Sequence, residues 1–175
     1  MDDPAATGEW ADKPIRLYGP DAMSGTGRFF RHVVLNDSRM MNWPAYAEIT
    51  DTRTTVDPTH DAGRQIIAAL AVDRHGLAVA SLDFATDQVR ALPLVSGNGE
   101  GAVSPTDENL ISRRYPLTRI VTACFNRKPD QPPPALVGEF LRFVLSEAGQ
   151  QAFGRDEGYL PLNAAQTATE AHKID

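Results

Sequence analysis

The sequence contains only one cysteine, Cys124, and this scarcity limits the chemistry open to the chain. A single cysteine excludes an internal disulfide and a metal site built from cysteines. Its neighbours Val121 and Phe125 predict a buried strand residue. No local feature favours the lowered pKa that a cysteine nucleophile needs, so cysteine chemistry is not expected to carry the function.

Long apolar runs are also absent. No stretch approaches the ~18 residues of a membrane-spanning helix. The acidic N-terminus, residues 1–6, has neither the basic region nor the apolar region of a signal peptide. The sequence therefore predicts no membrane span, and a cytoplasmic protein if its first residue is the native start.

Basic residues are fewer than acidic ones, 17 against 23. The net charge is −6 over 175 residues, and no Lys/Arg run interrupts the acidic balance. This composition argues against a nucleic-acid partner. An anionic ligand would have to be held by local dipoles and hydrogen-bond donors, because the overall field of the chain repels it.

Catalytic constellations are missing as well. No nucleophile–base pair and no cluster of metal ligands can be recognised, so the sequence predicts a protein that is not an enzyme and uses no cofactor or metal. His60 and Asp61 stand together at the start of a predicted helix. Asp61 suits a helix cap, whereas acid–base work by the pair would need a nucleophile that the sequence does not place.

The most informative stretch that is present is Ser24-Gly25-Thr26-Gly27. Residues 15–18 before it alternate like a short strand, and apolar residues after it recur at helical spacing to about Leu35. The start of a helix carries partial positive charge, so it can hold an oxyanion such as phosphate. A plain structural interpretation is also open, in which Ser24 is the N-cap and the glycines allow a tight turn.

The remaining pattern alternates strands and helices, which predicts an α/β fold. Residues 36–60 are interrupted by turn-forming residues and predict irregular structure. In chain order we then expect a helix from about Asp61, strands over 76–82 and 89–94, a surface loop over 97–101, a short helix over 106–112, a strand over 117–126, helices over 135–145 and 146–154, and a frayed polar end.

Several segments, taken together and in order, resemble the phosphate-binding proteins of ABC importers. They are residues 8–10, residues 21–30, Ile111 to Arg119, Asn126 to Pro129, Glu139 to Gln151 and Gly158 to Leu162. The resemblance covers nearly the whole chain from Gly8 to about Leu162. It implies a substrate-binding protein of ion transport, periplasmic or extracellular, whose partner in full-length form is an ABC permease.

The resemblance also implies a type II periplasmic-binding-protein-like fold, with two α/β lobes, a hinge and an oxyanion in the cleft. In the family, the stretch that resembles Gly8 lies well inside the chain. The resemblance therefore implies an N-terminally truncated form, with one complete lobe and the C-terminal part of the other. The expected parts are a lead-in segment 1–14, a second-lobe domain 15–115, and a return segment 116–175 into an incomplete first lobe.

Ser24, Gly25 and Thr26 match the family's Ser-Gly-Thr, whose hydroxyls and N–H groups hold phosphate oxygens. The family usually has an arginine four residues before that serine, where this chain has Pro20. Losing the arginine removes a charge-assisted contact. The candidates to replace it are Arg16, Arg28, Arg31 and Arg64.

The family's second glycine- and serine-rich helix start corresponds to residues 59–63, which implies ligand contacts from His60 and Gly63. Asp61 in the same place would repel an anion. We therefore expect phosphate or a related oxyanion to bind weakly. The expected site consists of Ser24, Gly25, Thr26, His60 and Gly63.

Two functions remain open from the sequence. The first is a solute-binding module for phosphate or a related oxyanion. The second is a degenerate, non-transport domain of the same fold that acts in protein interaction and has lost its ligand. In either case, the helix near residues 135–146 has more apolar surface than one neighbour covers. We therefore expect a homo-oligomer, or a partner chain that covers the incomplete lobe.

Overall fold

The computed structural model describes residues 11–38, 42–52, 61–96, 101–128, 131–154 and 159–174. The chain divides into two compact units, Met1–Arg90 and Ala91–Asp175. The first unit combines strands with helices, and helices predominate in the second. The predicted α/β class is confirmed, whereas the lobe arrangement and the domain bounds 15–115 and 116–175 stay predictions.

A three-stranded parallel sheet organises the first unit. Its strands are β1 (Arg16–Pro20), β2 (Tyr46–Ile49) and β3 (Gly76–Ala78). Their spatial order is β2-β1-β3, so β1 is the central strand and pairs in parallel with both neighbours. Parallel neighbours need helical crossovers between them, as the alternating sequence pattern predicts.

Two helices of the first unit lie between these strands in the chain. Helix α1 spans Gly25–Leu35 and follows β1, and α2 spans Ala62–Ala71 and precedes β3. Apolar residues of α2 supply part of the core, because Ile66 and Ile67 are buried, as is Tyr18 of β1. Helix α2 contacts both β1 and β3, and these contacts hold the helix in place on the sheet.

The sequence pattern locates β1 and β3 but misses β2. Irregular structure over residues 36–60 is the wrong prediction for Tyr46–Ile49, which pairs with β1. A strand of four residues shows too little alternation to be recognised when proline and asparagine stand just before it. β3 is shorter than the predicted 76–82, because it ends at Ala78 and Leu82–Phe84 form a 3₁₀ turn.

The described part of the second unit contains four helices: α3 (Asp107–Ile111), α4 (Ala135–Leu145), α5 (Glu147–Phe153) and α6 (Ala164–Ala171). The predicted helices at 106–112, 135–145 and 146–154 are confirmed. The prediction of a frayed end is wrong for α6, which begins with a capping box between Asn163 and Gln166. Helix α4 contacts α5 and α6.

The predicted strand at 117–126 is wrong. Between Leu117 and Lys128 the described chain has no strand pairing, and Arg119 to Lys128 are exposed. Cys124 is exposed too, which corrects its predicted burial. A β-rich run becomes a strand only where a neighbour supplies ladder hydrogen bonds and covers one face. Of the strand predicted at 89–94, only an isolated antiparallel bridge from Leu94 to Val103 forms.

Candidate anion-binding site

The carboxyl ends of β1 and β2 lead toward the two helices of the first unit. β1 ends at Pro20 and α1 begins at Gly25, while β2 ends at Ile49 and α2 begins at Ala62. Because the strands are parallel, both helices begin at the same edge of the sheet. The strand order also reverses at β1, and open α/β sheets bind ligands beside the carboxyl ends of strands at such a reversal.

Ser24 is the N-cap of α1, as the structural interpretation of the sequence predicts. Its backbone is extended, with φ −64° and ψ 161°, and its Oγ accepts a hydrogen bond from the Gly27 N–H at 3.0 Å. Gly25 and Thr26 are the first two residues of the helix. The three residues thus form the start of an eleven-residue helix, where the peptide dipoles favour negative charge.

Gly27 allows the turn before α1 to approach the helix closely. A Cβ at this position would meet the carbonyl oxygen of Asp21, and the Cα of Ala22 would lie 3.0 Å away. The loop is also closed by a hydrogen bond from the Ser24 N–H to the Asp21 carbonyl at 2.9 Å. Only glycine fits here without moving the backbone, so the last residue of the Ser-Gly-Thr-Gly pattern must be glycine for this turn to form.

Two carboxylates accept hydrogen bonds from the loop that precedes Ser24. The Asp21 Oδ1 accepts from the Met23 N–H at 2.7 Å, and the Glu48 Oε2 of β2 accepts from the Ala22 N–H at 3.2 Å. These two N–H groups therefore already donate hydrogen bonds to carboxylates of the protein itself. Both carboxylates place negative charge close to the start of α1, which weakens the field available to an external anion.

The negative charges of Glu48 and Asp21 also affect the pKa of Tyr46, the first residue of β2. Burial raises the pKa of the Tyr46 phenol to about 12, and Glu48 and then Asp21 contribute to the increase. The neutral phenol donates a hydrogen bond to the Pro20 carbonyl at 2.7 Å. Pro20 is buried, and this bond fixes the end of β1 just before the loop.

The start of α2 is occupied by a carboxylate of the chain itself. Asp61 is buried, caps the helix, and accepts from the Gly63 N–H at 2.8 Å. A Cβ on Gly63 would meet the Phe84 ring. Asp61 therefore acts as the anion at this terminus, as its capping interpretation predicts. His60 lies outside the described residues, so the ligand contacts expected from His60 and Gly63 stay predictions.

Arg16 is at the wrong edge of the sheet to replace the family's arginine. It begins β1, and the four residues to Pro20 span about 13 Å at the usual rise of ~3.3 Å per residue. Its Nη1 lies 3.4 Å from the Asp73 Oδ2, which also accepts from the Tyr18 hydroxyl at 2.9 Å. The His75 N–H and then the Tyr18 hydroxyl hold the pKa of Asp73 below its usual value.

The other three candidate arginines, Arg28, Arg31 and Arg64, lie on α1 and α2. Arg28 is exposed in the first turn of α1, whereas Arg31, one turn later, is half-buried and lines a cavity. Arg64 lies in the first turn of α2, with its guanidinium carbon 5.8 Å from the centre of the Phe84 ring. Arg28 and Arg64 are therefore the two arginines that belong to helix starts at the carboxyl edge.

Glu48 is the site residue that sequence reasoning misses. Its role depends on β2, because the pairing of Glu48 with Gly19 brings its carboxylate to the loop before Ser24. In the sequence, the alternation of residues 46–49 is the signal that could have indicated this strand and the position of Glu48.

Within the described ranges, no group of three or more His, Cys, Asp or Glu residues could hold a metal ion. No helix in the described part is both long and apolar enough to cross a bilayer.

Comparison with known proteins supports the predicted resemblance, although no protein-family model matches the chain. Over 158 residues the chain is 28% identical to "Phosphate-binding protein PstS" of Pseudomonas aeruginosa, covering 90% of the chain and 45% of that relative. It is 27% identical over 155 residues to "Protein SphX" of Synechococcus elongatus, covering 86% of the chain and 41% of that relative. The chain thus spans less than half the length of these curated relatives, and over 90% of its own length it is similar to a protein named for phosphate binding.

Proposed function

We propose that the chain is an oxyanion-binding module that holds phosphate weakly at the start of α1. One observation carries the proposal: Ser24 caps an eleven-residue helix directly after the central strand of a parallel sheet. The similarity to a phosphate-binding protein supports the choice of anion. As part of an importer, such a module would deliver phosphate to an ABC permease.

The donors come from the first turn of α1. The Ser24 Oγ accepts one hydrogen bond from Gly27, and its own proton has no acceptor among the described residues, so Ser24 can donate it to an oxyanion. In the proposed site the Thr26 hydroxyl is a second donor, whereas the Gly27 and Arg28 N–H groups of the first turn already donate to the Ser24 Oγ and the Ser24 carbonyl oxygen. Hydrogen bonds to a charged partner contribute roughly 1.5–3 kcal/mol each, so a few of them support binding without an arginine.

Four features limit the affinity. Pro20 provides no cation, and Asp21 and Glu48 already accept from the loop amides. Asp61 occupies the second helix start. The net charge of −6 adds a weak repulsion that salt screens beyond roughly 8–10 Å. We therefore expect a dissociation constant for phosphate of about a millimolar or weaker.

Replacement of Thr26 by valine should weaken phosphate binding about tenfold, because it removes one hydroxyl donor to a charged ligand. The measurement is a titration with inorganic phosphate, followed by the amide chemical shifts of residues 24–27. Thr169→Val, on the exposed face of α6, is the matched control and should leave the affinity unchanged. Micromolar affinity in the unmodified chain would contradict the expected weak binding, and equal affinity in the Thr26 variant would contradict the proposed site.

A second candidate function is protein interaction through α4. Leu136, Phe140 and Phe143 follow one another at helical spacing on one face of α4, and they are 83%, 61% and 56% exposed. Large exposed apolar patches usually mark contact surfaces. The face is bordered by the exposed pair Glu139 and Arg142, 3.1 Å apart. A second copy is the partner that we propose, because a two-fold axis would bring these opposite charges together across the interface.

Replacement of Phe140 by aspartate should reduce self-association by at least tenfold, since it puts a charge in the centre of this apolar face. Sedimentation equilibrium over a dilution series measures the effect. Val72→Asp, which changes a highly exposed apolar residue of the first unit, is the matched control. If the unmodified chain is monomeric at every concentration, the proposed dimer is wrong.

A further inference from the structure

A cavity of about 300 Å³ lies between α1 and the segment that leads into β2. Gly27, Phe30, Arg31 and Leu35 of α1 line it, together with Trp43 and Tyr46. Its volume is at the lower end of the range of small-molecule sites, roughly 300–1,000 Å³. None of Ser24, Gly25 and Thr26 lines it, whereas Pro20, Ala22 and Met23 just before them do.

Most of the lining is apolar and aromatic. Phe30 and Leu35 belong to α1, and Val79 is the first residue after β3. Trp43 and Tyr46 meet edge to face, with ring centres 5.9 Å apart and planes at 89°. Trp43 is also 50% exposed, so its ring connects the lining to the surface. Such walls suit a flat apolar body.

Arg31 is the exception in this lining. Its Nε atom is buried and has no hydrogen-bond acceptor among the described residues. A buried donor without an acceptor costs free energy, and buried polar atoms without partners are rare in folded proteins. A carboxylate inside the cavity would supply the acceptor, and arginine binds carboxylates with paired, charge-assisted hydrogen bonds.

We propose that this cavity binds a small organic acid, with its carboxylate on Arg31 and its apolar body against Phe30 and Trp43. The polar end of the ligand pairs with the guanidinium, while the apolar end fills space that the described residues leave open. Glu48 and Asp21 place negative charge near the Tyr46 hydroxyl. The carboxylate is therefore expected on Arg31 and not on Tyr46.

Benzoate and benzamide provide a direct test on the unmodified chain, since the two probes have similar shapes and differ in charge. Titration followed by tryptophan fluorescence and amide chemical shifts should show benzoate binding at least tenfold tighter than benzamide. Shifts should concentrate at residues 27–35. Equal binding of the two probes would overturn the role of Arg31, and no binding of either would overturn the site.

Arg31→Met should lower the benzoate affinity about tenfold, because it retains the apolar stem and removes the cation. Arg28→Met, on the exposed side of the same helix, is the matched control and should bind benzoate like the unmodified chain. Competition with inorganic phosphate separates this site from the proposed function. Phosphate should not displace benzoate, and displacement would show that the two anions share one site.

Discussion

Ile66→Ala is expected to lower the free energy of unfolding of the Met1–Arg90 unit by about 2–5 kcal/mol. Ile66 is only 1% exposed, on the face of α2 that contacts β1 and β3. Truncation removes three carbon atoms from the centre of a small core and leaves a cavity that the sheet cannot fill without bending. A loss of this size is a large share of the stability of a small domain.

Urea unfolding followed by tryptophan fluorescence measures this effect selectively, because both tryptophans, Trp10 and Trp43, belong to the first unit. The matched control is Val72→Ala, directly after the same helix. Val72 is 88% exposed, so this change should cost less than about 0.5 kcal/mol. Equal losses in the two variants would mean that α2 does not pack on the sheet as described.

Local signals in the sequence predict most of the helices. The caps of α1, α2 and α3 are Ser24, Asp61 and Thr106, and each accepts a hydrogen bond from the first turn of its helix. Such caps act within one turn, so their chemistry can be recognised without knowing the fold. The strand predicted at 117–126 fails for the opposite reason, because a strand depends on pairing with a partner that is often distant in the chain.

The site is predictable only in part for the same reason. Ser24 and Asp61 act through neighbours in sequence, and their roles as caps follow from the pattern. Glu48 reaches the loop before Ser24 through the pairing of β2 with β1, across 26 residues of chain to Ala22. Arg16 fails as a replacement arginine because the direction of β1 places it at the other edge. These facts require the strand order, which single-sequence patterns do not give.

The second large effect is a gain of function at position 20. Pro20→Arg is expected to raise the affinity for phosphate by roughly 10- to 100-fold, since charge-assisted hydrogen bonds contribute about 1.5–3 kcal/mol and 1.4 kcal/mol is a factor of ten. Position 20 ends the central strand, four residues before Ser24, and the family resemblance expects an arginine there. The substitution leaves the Pro20 backbone carbonyl, which accepts from Tyr46, in place.

The gain must come from the cation and not from the loss of proline. Pro20→Met is the matched control, because it gives the position a long flexible side chain without charge. Isothermal titration with phosphate at low salt should show tighter binding for the arginine variant alone. Adding Glu48→Gln to Pro20→Arg should raise the affinity further, because Glu48 is a carboxylate that accepts from the same loop.

Combining Pro20→Arg with Thr26→Val locates the anion. If phosphate binds at the start of α1, the second change should remove about tenfold of the affinity gained from the first, because both groups contact one ligand. A gain that survives Thr26→Val would place the anion elsewhere on the carboxyl edge. If Pro20→Arg gives no gain over Pro20→Met, phosphate binding is not a property of this edge, and the interaction surface on α4 becomes the better account of the chain.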